Sequence, residues 1–444
     1  MKTLAKKEIV FVSFMLFSMF FGAGNLIFPP FLGQEAGAKV WMALAGFIFS
    51  ATGLPILGVI AIAKAGSFQT LAQRVHPTFA IIFPFLIYVS IGPGLGIPRA
   101  GSLAFEMGPG QFLPEAWSQQ TALFIYTLIF FGIVFWLSLS PSKLVDRFGK
   151  LLTPLLLVLI LAIFVKSLIT PVGSFGTAHG NYNLSPVFQG FLDGYLTMDA
   201  LASLIFGIVI ANALRAKGIE HEKSLSRYMM MAGVGAGILL SIIYVILAYL
   251  GAASVSLGKA ENGAQVLTKV MTYLFGQSGT VLLGVIFTVA CLCVSIGLVT
   301  SCSQFFAKVF PKVSYKIFAF LLCVVSMAIA NLGLTQILKV SVPILGAIYP
   351  VALVLIVLAL LHDYMKGYSS VYVATVLLVG LFSLVDMINQ TFLSQAWSGV
   401  LSYFPLYREG VGWVVPALVG LVIGYIYGEV VLRRKDNEES KLSA

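Results

Sequence analysis

Charge is what this sequence has least of. Only 10% of its 444 residues are Asp, Glu, Lys or Arg, against roughly 25% in a soluble domain. It holds four cysteines and four histidines. Cys291 and Cys293, two apart on a helix, point to different faces and have no second pair. Neither a disulfide framework nor a zinc site is therefore expected. His76, His179, His221 and His362 fall in predicted loops, which argues against a histidine relay inside a membrane. The H-E-x-x-H pattern is missing, as is a Ser–His pair or a pair of aspartates on neighbouring apolar blocks. No enzyme activity and no cofactor are expected. A filter sequence or rows of pore-lining charge, which would suggest a channel, are also missing. The net charge of +10 does not point to nucleic acid, because the basic residues sit in short clusters between apolar blocks.

What is present is apolar sequence in long blocks. Hydrophobic residues make up 59% of the chain, and a helix needs about 18 or more of them in succession to cross a ~30 Å hydrocarbon layer. Twelve blocks are predicted as membrane helices, at residues 8–31, 38–63, 77–105, 119–140, 149–169, 189–213, 227–251, 279–307, 314–330, 341–361, 370–389 and 411–432. The fold class is thus an all-α polytopic membrane protein with the lipid bilayer as its solvent. The first block is too long for a signal peptide and lacks a cleavage pattern. With the N-terminus in the cytoplasm, 20 of the 27 Lys and Arg residues fall on the inside, so both termini are expected there. Residues 260–275 have the spacing of a short amphipathic helix on the outer side. The polar tail, 433–444, is expected to be cytoplasmic and disordered.

Unpaired backbone groups are not tolerated in lipid, so interrupted spans point to a cavity or a ligand. The first block is interrupted at Gly22-Ala23-Gly24-Asn25, the sixth at Tyr195-Leu196-Thr197-Met198-Asp199. The two interruptions are about 175 residues, or five spans, apart. Repeats of five spans would be inverted in the membrane. A broken helix offers N–H groups to a carboxylate and carbonyls to an ammonium or a metal cation, which suits a zwitterionic amino acid. The alternative for Gly-x-Gly is a helix-packing surface. In the eighth block Gly297, Thr300 and Ser301 share one helix face and offer three oxygens to Na⁺; alternatively, the hydroxyls bond back to carbonyls one turn earlier. Asp199 is read as a cation ligand, a proton carrier or a helix cap. Arg99 is read as an outer gate or as snorkelling to the interface. Asp193 and Glu106 are expected nearer the outer surface. Asp386 is assigned to packing or an oligomer contact with Asn389 or Gln390.

The blocks FGAGNLIFPP (21–30), GPGLGIPRAGSLAFEMG (92–108) and DGYLTMDALASLIFG (193–207) resemble the bacterial branched-chain amino acid:cation symporter family over residues 8–430. The resemblance implies uptake of leucine, isoleucine and valine coupled to Na⁺ or H⁺ across the bacterial inner membrane. It also implies a leucine-transporter-type fold of two inverted five-helix repeats (8–170 and 188–361) with two extra helices (370–389 and 411–432), forming one transmembrane domain over 1–432. Carried over residue by residue, Gly22, Ala23, Gly24 and Asn25 would form the unwound part of the first helix. Tyr195, Leu196, Thr197, Met198 and Asp199 would form the second break against the substrate. The carbonyls of Ser18 and Phe21 would join Gly297, Thr300 and Ser301 in a Na⁺ site.

Overall fold

The computed structural model describes residues 4–114, 117–143 and 145–442. It is helical, with no strand among the described residues. In chain order the helices are α1 (Lys6–Phe20), α2 (Ala23–Ala36), α3 (Val40–Ile48), α4 (Leu54–Ala65), α5 (Phe68–Gln73), α6 (Phe79–Val89), α7 (Gly96–Met107), α8 (Gln119–Ser138), α9 (Thr153–Ile169) and α10 (Asn181–Leu184). They continue with α11 (Pro186–Tyr195), α12 (Asp199–Ala216), α13 (Glu222–Ala253), α14 (Gly263–Phe275), α15 (Gln277–Val309), α16 (Tyr315–Ala330), α17 (Leu334–Leu360), α18 (Ser369–Thr391), α19 (Ser398–Leu401) and α20 (Val414–Leu442).

Among the described residues ten helices are long and apolar enough to cross a bilayer. An eleventh span appears if Tyr315–Ala330 and Leu334–Ser341, bent by 104°, are taken together. The expected twelve are not all found as separate spans. The first predicted block is cut into α1, only 15 residues long, and α2, which runs on towards α4. The sixth is likewise cut into α11 and α12. Two further expectations meet the structure directly. The amphipathic helix is α14, whose Val266, Val270 and Leu274 are buried and whose first turn is capped by Asn262 Oδ1 accepting from Gln265 N–H at 3.0 Å. Disorder from Arg433 does not match the backbone, because α20 continues to Leu442. Most residues there, Arg433, Arg434, Lys435, Glu438, Glu439, Lys441 and Leu442, are good helix formers. Residues 443–444 lie outside the described residues.

Packing divides the chain into two units. The first, residues 1–63 and 88–341, carries both interruptions. Within it α2 packs on α13, α3 on α11, and α1 on α13. Glycine makes these contacts possible. A Cβ on Gly46 would lie 2.0 Å from the Val187 carbonyl oxygen, one on Gly190 1.9 Å from that of Ala43, and one on Gly251 1.9 Å from that of Pro30. The backbones touch, which is how small residues hold membrane helices together without a hydrophobic driving force. In the same unit α15 packs on α7, α8 and α16. The third predicted span is not one helix: α6 ends at Val89, Gly92 (φ −71°, ψ −114°) breaks the winding, and α7 restarts at Gly96.

The second unit, residues 64–87 and 342–444, is built on the α18–α20 pair. Asp386 and Asn389 of α18 fasten the segment before α20. Tyr407 OH donates to Asp386 Oδ1 at 2.9 Å, and Asn389 accepts from the Trp397 backbone N–H at 2.8 Å. That is the packing role expected of them.

Candidate substrate site

The first break begins where α1 runs out at Phe20. Gly22 is extended (φ −130°, ψ −155°), and its N–H donates to Asn25 Oδ1 at 3.1 Å. In an unbroken helix that N–H would serve the Ser18 carbonyl. The break therefore takes the donor away from Ser18. No backbone N–H four residues on reaches the Phe21 carbonyl either, among the described residues. Pro29 lacks the N–H that would serve the Asn25 carbonyl, which adds a further carbonyl one turn into α2. One short stretch thus presents carbonyl oxygens before the break and amide donors after it.

At the second break α11 ends in a tight turn: Met198 N–H donates to the Tyr195 carbonyl at 3.0 Å, and Thr197 Oγ1 to the Gly194 carbonyl at 2.8 Å. Met198 takes the left-handed conformation (φ 68°, ψ 8°) and reverses the chain into α12, with Asp199 in its first turn. A carboxyl there meets the positive end of the helix.

The two breaks meet. Asn25 Nδ2 donates to Asp199 Oδ2 at 2.5 Å and to Tyr244 OH at 2.5 Å, and Tyr244 OH donates to Asp199 Oδ2 at 3.1 Å. All three side chains are 2% exposed or less. Asn25 therefore caps its own break and holds the acid of the other. Tyr244, in the middle of α13, completes the triangle and was not read from the sequence. Its only sequence signal is a phenol inside the aliphatic run ILLSIIYVILAYLG.

Arg99 corrects the snorkelling reading. It is 5% exposed, in the first turn of α7, and its Nη1 donates to the Leu196 carbonyl at 2.9 Å. It neither snorkels nor sits at the end of a span, because the kink at Gly92 restarts the helix just before it. The Gly24 backbone lies directly beneath the guanidinium: a Cβ there would be 2.9 Å from Nη2 and 3.1 Å from Thr197 Cα. Only glycine lets the start of α2 approach the second break so closely.

These elements surround a narrow cavity. Gly22, Ala23, Gly24, Asn25, Thr197, Met198 and Asp199 all line it. Tyr195 and Leu196 are not among its lining. Tyr195 stacks edge-on against Phe191, and Leu196 contributes its carbonyl to Arg99. The rest of the lining is largely apolar and includes Phe20, Ile91, Ala100, Val294 and Leu298.

The expected cation residues lie where α1 and α15 touch, since a Cβ on Gly297 would be 3.0 Å from Met19 Cγ. Ser301 Oγ bonds back to the Gly297 carbonyl at 2.8 Å, the alternative reading for that hydroxyl. Thr300 Oγ1 is buried, makes no hydrogen bond of normal length among the described residues and lies near the Tyr315 hydroxyl. The Ser18 hydroxyl bonds Thr153 Oγ1 at 2.5 Å, which in turn donates to the Phe14 carbonyl at 2.7 Å. Thr153 is a second residue that the sequence did not single out. Asp193 and the Tyr182 hydroxyl form a short hydrogen bond, and Gln189 Nε2 donates to the same carboxyl at 2.9 Å.

The chain resembles known proteins along nearly its whole length. The family model described as branched-chain amino acid transport protein matches residues 5–431. The branched-chain amino acid permease BraB of Bacillus subtilis (strain 168) is 48% identical over 428 residues, 96% of each chain. The branched-chain amino acid permease BrnQ of Escherichia coli (strain K12) is 36% identical over 433 residues, 97% of this chain and 98% of its own. Two solved structures share the fold: MhsT in complex with L-phenylalanine (TM-score 0.60, 14% identical, 87% of this chain and 99% of that one), and Mhp1, a nucleobase-cation-symport-1 family transporter (TM-score 0.60, 13% identical, 96% and 93%). With its helices interrupted in the first and sixth spans and its relatives named as permeases, the chain is no enzyme and belongs to the branched-chain amino acid transport protein family.

Proposed function

We propose that this protein imports leucine, isoleucine and valine together with a cation, Na⁺ or H⁺, by alternating access. It would do so in the bacterial cytoplasmic membrane with both termini in the cytoplasm. The observation that carries the reading is the meeting of two broken helices at one cavity whose lining joins polar groups of the breaks to apolar side chains. The amides that open α2 and the carbonyls that close α1 suit the two charges of an amino acid head. Phe20, Ile91, Val294 and Leu298 suit an aliphatic side chain. Such a wall discriminates weakly, since one methylene is worth about 1–3 kcal/mol, so the three substrates compete with one another. The carbonyls of Ser18 and Phe21 with the Thr300 hydroxyl are the proposed Na⁺ ligands; Asp199 is the proposed group if the coupling ion is H⁺.

The test is uptake of labelled leucine into liposomes holding the purified protein, with inward Na⁺ and H⁺ gradients imposed separately. Accumulation above equilibrium with Na⁺ alone supports the Ser18–Phe21–Thr300 site, and accumulation with the proton gradient alone supports Asp199. No accumulation of any of the three amino acids under either gradient overturns the proposal.

A further inference from the structure

We propose that Arg99 is a substrate-binding residue whose guanidinium receives the α-carboxylate of the transported amino acid. The inference rests on the reading that the cavity takes an amino acid and adds which side chain recognises its acid group. Among the residues that line the cavity, Arg99 and Asp199 are the two that ionise, and their surroundings differ. Asp199 Oδ2 accepts from both Asn25 and Tyr244, so that oxygen is already held on the side of α2 and α13. Arg99 enters from the other side, on α7, with Nη1 on the Leu196 carbonyl and Nη2 over Gly24.

The placement is electrostatically mixed, because Nη1 meets the carbonyl end of α11 at Leu196, where a cation is favoured, while Nη2 does not. A guanidinium rests on the first turn of α2 and beside the break from which α12 starts, and both are positive helix ends, where cations are disfavoured. Asp199, at the first turn of α12, faces the ammonium side of a bound amino acid, and the substrate carboxylate would lie between Arg99 and the Ala23 and Gly24 amides. The planar fork of arginine matches a carboxylate in two places at once, which lysine cannot do. Gly24 fits the same account, because any side chain there would displace Nη2 from the place where the carboxylate must sit.

The experiment is ligand binding to purified protein in detergent, using leucine and leucinol, which has the same side chain and ammonium but no carboxylate. Wild-type protein binds leucine at least about 100-fold more tightly than leucinol, the range expected of a buried charged pair. In Arg99→Gln this preference falls to a few-fold, through loss of leucine affinity with leucinol affinity unchanged. Arg99→Lys keeps part of the preference, since it retains the charge without the fork. An unchanged leucine-to-leucinol ratio in Arg99→Gln, with both ligands weakened alike, overturns the proposal and leaves Arg99 as a brace for the Leu196 carbonyl. So does wild-type protein that binds leucinol as tightly as leucine, and this result stands even where the glutamine variant does not fold. If wild-type protein binds neither ligand and takes up no leucine, the functional reading itself has failed.

Discussion

Replacing Asn25 by alanine removes three hydrogen bonds with one cut. The side chain caps the first break by accepting from Gly22 N–H, and it donates to Asp199 Oδ2 and to Tyr244 OH. Loss of a cap costs about 1 kcal/mol. Taking one donor from a buried carboxyl costs about 1–3 kcal/mol more, with the Tyr244 bond at 3.1 Å left as partial compensation. The expected loss is therefore about 2–4 kcal/mol of stability, together with loss of leucine uptake, because the two breaks no longer share a bond. The comparison is Tyr244→Phe, which removes only the hydroxyl and keeps the edge-to-face contact with Phe47 at 5.1 Å. Since both residues act on the same oxygen, the double variant should lose less than the sum of the single losses. The assays are thermal unfolding of the purified protein and uptake in liposomes at matched insertion. Unchanged melting and uptake in Asn25→Ala would refute the account, and strictly additive losses would show that the three groups do not act as one network.

Three further outcomes are expected. Thr300→Ala should raise the Na⁺ concentration needed for half-maximal uptake with little change in melting; unchanged ion dependence removes Thr300 from the cation site. Met198→Gly should relieve the left-handed conformation, worth about 1–2 kcal/mol, yet weaken leucine binding because a cavity wall is lost; tighter binding in the variant would count against Met198 as a lining residue. In the second unit, burial first and then the Arg74 charge hold the His362 pKa below its ordinary 6.5, with Asp363 opposing, while His362 Nδ1 pairs with the Tyr372 hydroxyl. A depressed histidine pKa means that the folded state binds fewer protons than the unfolded one. The contribution is thus fully present above pH 6.5 and is lost as pH falls below it through the folded value. His362→Gln should flatten that part of the melting-against-pH curve, and an identical acid limb in both proteins would refute the assignment.

Both breaks were legible in the sequence because each carries its own local cause. Gly22 and Gly24 with Asn25 cannot continue an apolar helix cheaply, and Thr197-Met198-Asp199 is a turn followed by a helix start. Their positions five spans apart supplied the pairing. What was not legible depends on distant packing. Tyr244 reaches Asn25 because Gly251 lets α13 lie against the Pro30 carbonyl of α2, and no local pattern announces that. Arg99 was misplaced for a different reason. A continuous helix over 77–105 puts it near the end of a span, whereas the unwinding around Gly92 puts it in the first turn of a new helix, facing Gly24. Ser301 shows the limit of a spacing argument: a shared helix face supplies candidates, but its hydroxyl turned to its own backbone. The span count suffered at the first break, which leaves α1 too short to cross a bilayer alone, and at the 104° bend that follows α16.

The bonds around the cavity fall into two groups, and the difference bears on how transport would proceed. Asn25 and Tyr244 join α2 to α13, which belong to the same glycine-packed set of helices as α3 and α11, and both hold Asp199 of α12, a helix that packs on α13 and on α15. A set whose backbones touch has little freedom to shear, because a displacement of 1 Å would drive carbonyls into neighbouring chains. In any movement of that set the Asn25–Tyr244 bond would stay within it. Arg99 comes from α7, which packs on α15 instead, and its bond to the Leu196 carbonyl runs from one group to the other. If the proposed alternating access is a rocking of the first group against the second, the Asn25–Tyr244 bond stays intact through the cycle while the Arg99–Leu196 bond is made and broken. The carboxylate proposed to sit at Arg99 would then compete with, or replace, that contact. Loss of the triangle should accordingly lower stability and binding together. Loss of Arg99 should alter ligand choice and leave the body of α2, α3, α11 and α13 as stable as before.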